Sequence, residues 1–162
     1  MDLFVTVLLW FMAVSSGLMA GIYFAFSVFV MRALATLERG EAIRAMNAIN
    51  AVIVRTAFLP LFFASSLGAL ALAVIGGLHW GVSGGTTMAQ GGAAYFVGMF
   101  MVTVGRNVPL NNALAAVDPA SDTGAAVWAQ YLRQWTRWNH VRTIACTVSL
   151  ALFIAAIASM RA

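Results

Sequence analysis

The sequence predicts an all-α protein, an integral-membrane, up-down antiparallel four-helix bundle with helical cytoplasmic extensions, in one domain over residues 1–162. Composition is the first observation behind this. The 162 residues are 62% hydrophobic and 9% charged, where a globular soluble chain is about 25% charged, and mean hydropathy is +0.91. The second is length, because four apolar stretches match the roughly 20 helical residues that cross a bilayer. They are Leu3–Met31, Ala51–Leu78, Met88–Gly105 and Val141–Met160, and none contains Asp, Glu or Lys. The third is that arginines and asparagines cluster in the two connections between these stretches.

Span one lacks a basic leader region, and its apolar run exceeds the roughly 7–15 residues of a signal-peptide core, so it reads as a retained helix. Gly17, Gly21 and Ala25 form a small-residue ridge suited to close helix contact. Tyr23 lies deep in this span, beside Phe24 and Phe26. The connection that follows carries Arg32, Arg39 and Arg44. Within it, Ile43, Met46, Ile49 and Ile53 share one face of a predicted helix that runs straight into span two. Asn47 and Asn50, three apart, are neighbours on that helix. Arg55 sits near the start of span two, where its side chain can snorkel, and Pro60 predicts a kink.

Gly76–Gly92 holds seven of the fourteen glycines and reads as a flexible outer hairpin. Span three carries a second ridge, Ala94 and Gly98. It continues past Gly105, bends at Pro109 and ends at Asp118-Pro119. Ser121 or Asp122 then caps a helix that feeds span four. Along it Trp128, Tyr131, Trp135, Trp138 and Arg142 recur at 3-4-3-4 spacing and form one stripe. Cys146, the single cysteine, has no disulfide partner and reads as a small buried hydrophobe.

All nine basic residues are arginine, and all but Arg161 fall in or beside the two long connections. The positive-inside rule then makes both connections cytoplasmic and both termini external, in a bacterial inner membrane. A basic balance in such a chain signals orientation and lipid headgroups, and no nucleic-acid partner is expected.

In an antiparallel bundle the arginine-rich ends of the spans meet. Asn47, Asn50, Asn107, Asn111, Asn139 and Arg142 therefore converge, together with Arg32, Arg55, Asn112 and His140. Unpaired polar groups at this depth cost roughly 1–3 kcal/mol each. Two arrangements avoid that cost, a structural clamp of mutually bonded side chains or a polar pocket. His140 is the one candidate general acid or base at this end. His79 lies at the other, about 30 Å away by bilayer thickness, which argues against a bis-histidine haem. Glu38, Glu41, Asp118 and Asp122 have no ligand spacing, so no tightly bound metal is expected. Trp135 and Trp138 suit an interfacial belt or a stacking pocket equally. The spans lack the carboxylate of proton-coupled transporters, and the chain has no Cys-x-x-Cys, no Gly-x-Ser-x-Gly and no nucleotide-binding fingerprint.

Four pieces carry a resemblance: Gly21-Ile-Tyr-Phe-Ala-Phe26, Ala45-Met-Asn-Ala-Ile-Asn50, Asn107-Val-Pro-Leu-Asn111 and Trp135-x-x-Trp-Asn-His-Val-Arg142. In these the chain resembles the anthrone oxygenase-like family of small four-span membrane proteins, over nearly its whole length. Fungal members are associated with oxidation of polyketide anthrones to anthraquinones by dioxygen, without a bound cofactor. The resemblance implies an oxygenase-like enzyme acting on a lipid-soluble aromatic molecule of anthrone, phenol or quinone type. His140 would remove a proton and Arg142 would stabilise the resulting anion. Asn47, Asn50, Asn107, Asn111, Asn139 and Tyr23 would bind the substrate, and Trp135 and Trp138 would stack on it. Dioxygen would be the co-substrate and membrane lipid the medium, with a homo-oligomer left open. The alternatives are a non-catalytic protein with an Asn/Arg clamp or lipid site, and a haem- or quinone-binding subunit of a redox assembly.

Overall fold

A computed structural model describes residues 3–160. Asp2 and Arg161, the charges nearest the two ends, lie outside the described residues. Five helices follow in order: α1 (Leu3–Leu34), α2 (Arg39–Ile53), α3 (Phe58–Leu78), α4 (Gly85–Ala115) and α5 (Asp122–Ser159). Among the described residues there is no strand. All but α2 are long and apolar enough to cross a membrane. Their outward faces carry exposed Leu3, Val7, Leu67, Val97 and Ile144, hydrocarbon that only a lipid environment makes favourable.

At about 1.5 Å per residue, α1, α4 and α5, with 32, 31 and 38 residues, outrun a hydrocarbon core of about 30 Å. The surplus builds a second core. The first packs Leu9, Met12, Met19, Leu72, Met88 and Phe153 between the four spans. The second gathers Met31 and Leu34 of α1, Ile43 and Met46 of α2, Leu114 of α4, and Trp128, Tyr131 and Trp135 of α5. Here α2 takes the corner that α3, with 21 residues, is too short to fill.

That corner corrects two expectations. The helix of the first connection does not run straight into span two, because residues 54–57 form a turn. Thr56 holds the break from both sides. Its hydroxyl donates to the Ile53 carbonyl at 2.8 Å and accepts from the Phe58 N–H at 3.2 Å. Pro60 consequently lies in the first turn of α3, where the N–H it lacks has no helical partner to lose. It starts a helix instead of kinking one. At the other end of α2, the Glu38 carboxylate accepts from Gly40 N–H at 3.1 Å. This bond, and the nearby Glu41 N–H, Arg44 and Arg39, hold the Glu38 carboxyl below the usual carboxylate range.

The glycine readings also shift. The hairpin between α3 and α4 is only residues 79–84, with Gly81 and Gly84 at φ +84° and +79°. Gly76 and Gly92, assigned by sequence to that loop, lie inside α3 and α4. A Cβ on Gly92 would meet the Ala69 carbonyl and the Ala73 nitrogen, and one on Gly76 would meet backbone around Ala89. The two helices cross at these glycines. The ridge predicted at Gly17 and Gly21 is looser, since Gly21 has nothing within 4 Å, while Gly98 does abut Ala145 as a ridge residue should. Ser121 caps α5, accepting from Gly124 N–H at 2.9 Å.

Three segments widen into π-helix: Phe26–Val30 in α1, and Phe96–Met101 and Thr103–Asn107 in α4. Such wide turns shift a helix wall locally and recur at functional sites. Two of the three contribute residues to the pocket described next.

Candidate functional site

Between the two cores, at the arginine-rich end of the spans, all five helices surround a cavity of about 230 Å³. Tyr23 and Phe26 come from α1, Met46 and Asn50 from α2, and Phe58 and Phe62 from α3. Thr103, Asn107 and Asn111 come from α4, and Trp135 and Arg142 from α5. The turn at residues 54–57 offsets α2 from α3 and leaves this gap. The π-turn ending at Asn107 brings that amide and Thr103 to the same wall.

Arg142 is the centre of the site. It is 5% exposed, and the titratable groups that act on it are Tyr23, Tyr131 and Cys146, with no carboxylate among them. Its guanidinium lies 4.3 Å from the Tyr23 ring centroid and 5.1 Å from that of Trp135, within cation–π range. Nη2 donates to Asn139 Oδ1 at 2.7 Å, and Nη1 reaches Thr103 Oγ1 at 3.4 Å, a weak contact. Nε has no hydrogen-bond partner. A buried cation with no counter-ion among the described residues is costly, and this one borders a cavity.

Asn139 is the brace behind it. Its amide nitrogen donates to the Tyr23 carbonyl and to Ser27 Oγ, both at 2.7 Å, and its oxygen receives Arg142. Every function of this buried amide is in use, and it does not line the pocket. Asn107 is divided: Nδ2 donates to the Trp135 carbonyl at 3.2 Å, while Oδ1 is unpaired. Asn111 Oδ1 accepts from the Tyr131 hydroxyl at 2.8 Å, with Asn50 beside that phenol. Tyr131 itself is stacked between Trp128 and Trp135, at 5.7 Å on each side.

The unpaired buried atoms concentrate here. Tyr23 Oη, Asn50 Nδ2, Asn107 Oδ1, Trp135 Nε1 and Arg142 Nε all belong to lining residues and have no hydrogen-bond partner. The Tyr23 hydroxyl is near Arg142 and Thr103 but lacks bonding geometry to either. Four of the five atoms can donate. The arrangement therefore matches a ligand rich in acceptor oxygen, preferably one bearing negative charge, with Asn107 Oδ1 left to receive a hydroxyl or N–H.

The predicted residues thus separate. Tyr23, Asn50, Asn107, Asn111, Trp135 and Arg142 come together on one cavity. Asn139 supports them from behind. Asn47 lies off the cavity, reaching the Leu114 carbonyl at 3.5 Å. Trp138, half-buried, is also outside it, 5.1 Å below the Arg106 guanidinium. His140 is exposed on α5 and does not line the pocket, and Arg32, Arg55 and Asn112 are exposed elsewhere. Sequence reasoning missed Thr103. Its signal was the spacing, since Thr103, Asn107 and Asn111 fall four apart on one helix face. Among the described residues no three His, Cys, Asp or Glu side chains gather.

A family model described as anthrone oxygenase matches residues 49–152, a range that contains every polar lining residue except Tyr23. No curated protein and no solved structure matches the chain.

Proposed function

The chain belongs to the anthrone oxygenase family, and from that premise we propose that it is a membrane-embedded oxygenase-like enzyme acting on a lipid-soluble aromatic molecule with an acidic ring CH₂ conjugated with a carbonyl. One observation carries the reading. Arg142, buried and without a carboxylate partner among the described residues, borders a cavity together with four other unpaired polar atoms.

In this scheme the substrate carbonyl takes Arg142 and the Tyr23 hydroxyl, and the Trp135 and Asn50 N–H groups line the same cavity. As the ring C–H ionises, charge moves onto that oxygen, and these donors stabilise the developing enolate. Asn107 Oδ1 receives a ring hydroxyl and fixes orientation. Among the described residues no lining side chain is an imidazole or carboxylate and His140 is exposed, so the scheme gives His140 no base role. The proton passes to water reaching the half-buried Asn50 and Asn111 amides, and the peroxide anion formed in the next step takes one back. The electron-rich carbanion adds dioxygen to give a hydroperoxide. Loss of water from it leaves a new ring carbonyl, so that CH₂ and O₂ become C=O and H₂O. The side chains supply anion binding and orientation, and dioxygen is the oxidant.

The test is turnover of an anthrone by purified protein with and without dioxygen, following quinone absorbance and oxygen uptake. Arg142→Gln should lower the rate by about 10²–10³, the usual loss for one oxyanion donor. His140→Ala should stay within about twofold of wild type. Equal rates for wild type and Arg142→Gln would overturn the scheme, as would turnover that ignores oxygen. A second reading, a non-catalytic binding protein, is favoured by the complete internal pairing of Asn139. It predicts saturable binding of the same anthrone with no oxygen uptake.

A further inference from the structure

The lining of the cavity changes character with exposure. Its polar members are buried or half-buried, whereas the lining residues open to the exterior are Val54, Phe63, Val104 and Val108, at 47%, 51%, 50% and 40% exposure. A mouth facing water would be rimmed by polar groups. This one is rimmed by hydrocarbon.

The rim is also continuous with the lipid-facing surface. On α3, Phe63 begins an exposed apolar stripe through Leu67, Leu70 and Val74, at the 4-3-4 spacing of a single helix face. On α4, Val97, Met101, Val104 and Val108 form a matching stripe that ends in the mouth. Two local features keep the gap open. The chain has no α3 before Phe58, only the turn at residues 54–57, while α4 continues to Ala115. Within that stretch α4 also widens into the π-helical segment Thr103–Asn107, which lines the cavity.

We infer that the cavity opens sideways into the bilayer through a portal between the start of α3 and the segment Thr103–Asn107 of α4. Its ligand is an amphipathic molecule dissolved in the lipid, which enters oxygen-bearing end first toward Arg142 and leaves its apolar body among Phe58, Phe63 and Val104. This deepens the functional reading above and rests on it for the identity of the ligand; the portal itself does not depend on turnover. Polarity falls from Arg142 to the rim, so such a molecule is bound in one direction only. A fully polar metabolite has no route in.

Bromine-labelled phosphatidylcholine tests the portal in reconstituted vesicles, because bromine on an acyl chain quenches tryptophan on near contact. The emission of Trp135, which is 4% exposed and lines the cavity, is taken as the difference between wild type and Trp135→Phe. Acyl-chain bromine should quench it and aqueous iodide should not. A plug, Val104→Phe with Val108→Phe, should reduce the bromine quenching by at least half. Val97→Phe, on the same stripe but outside the cavity, should leave it unchanged. If the double variant does not fold, Val104→Cys alkylated with a bulky maleimide after reconstitution serves as the plug. Quenching by iodide alone would overturn the inference in favour of a water-facing mouth, and quenching by neither would show a closed cavity. Bromine quenching that the plug leaves intact would place the route elsewhere and also overturn it. None of these readings needs a substrate, so a protein that oxidises no anthrone can still pass or fail.

Discussion

Asn139 separates the two roles that polar residues can play at membrane depth. Its amide spends two donors on α1 and its acceptor on Arg142. Asn139→Ala therefore strands the Arg142 Nη2, at roughly 1–3 kcal/mol for an unpaired buried group, and also removes the cross-helix bonds to the Tyr23 carbonyl and Ser27 Oγ. A stability loss of about 3 kcal/mol is expected, read as a lower melting temperature in detergent, and ligand binding should weaken because Arg142 is no longer held. Asn47→Ala, whose 3.5 Å contact is marginal, should cost under about 1 kcal/mol. Equal losses for the two would contradict this division. Much of the site was legible at this scale. Asn107 with Asn111 and Asn139 with Arg142 have helical spacing, and both pairs meet near the cavity. His140 was misplaced because proximity in sequence stood in for helical phase. Adjacent residues differ by about 100° around a helix, so with Asn139 and Arg142 turned inward, His140 faces out.

Helices were legible as apolar runs, but their ends and contacts were not. Sequence periodicity through Ile53 gave no reason to stop before span two. The turn at residues 54–57 arises because α2 is recruited into the second core, and Thr56 then closes both helix ends. Small residues gave the opposite difficulty, since spacing alone does not tell a contact ridge from a lipid-facing one. Gly92 and Gly21 expose the difference. Gly92→Ala drives a methyl into the backbone of α3 at Ala69 and Ala73, and separating those helices should cost at least about 2 kcal/mol, within the range of overpacked cores. Gly21→Ala meets open space and should be neutral or stabilising by up to about 1 kcal/mol from helix propensity. Paired thermal melts of the two variants check this. A neutral Gly92→Ala would mean that α3 and α4 cross more loosely than their backbones indicate.

At the scale of the molecule, the pocket exists because two cores are stacked and one of four corners is discontinuous. α1, α4 and α5 run through both cores, whereas the fourth corner passes from α3 to α2 at the turn of residues 54–57. Composition foretold the bundle and its membrane setting; the second core depends on helix lengths that only packing reveals. The discontinuity has a dynamic consequence. Local opening is easiest where few ordered backbone bonds and little burial hold the chain, and residues 54–57 are all exposed outside a helix. The π-turns at Thr103–Asn107 face the same cavity with weaker backbone registry than an α-helix. Hydrogen exchange in nanodiscs should therefore be fastest, within the bundle, at residues 54–57, intermediate at 103–107 and slowest at 65–76, where α3 is locked against α4. A ligand that binds only the closed arrangement stabilises it by about 2.7 kcal/mol at one hundred times its Kd. An anthrone at that level should slow exchange at 54–57 and 103–107 by up to about a hundredfold, and leave 65–76 nearly unchanged. Uniform protection across all three segments would mean that the ligand stabilises the bundle as a whole, and that the broken corner is not the element it closes.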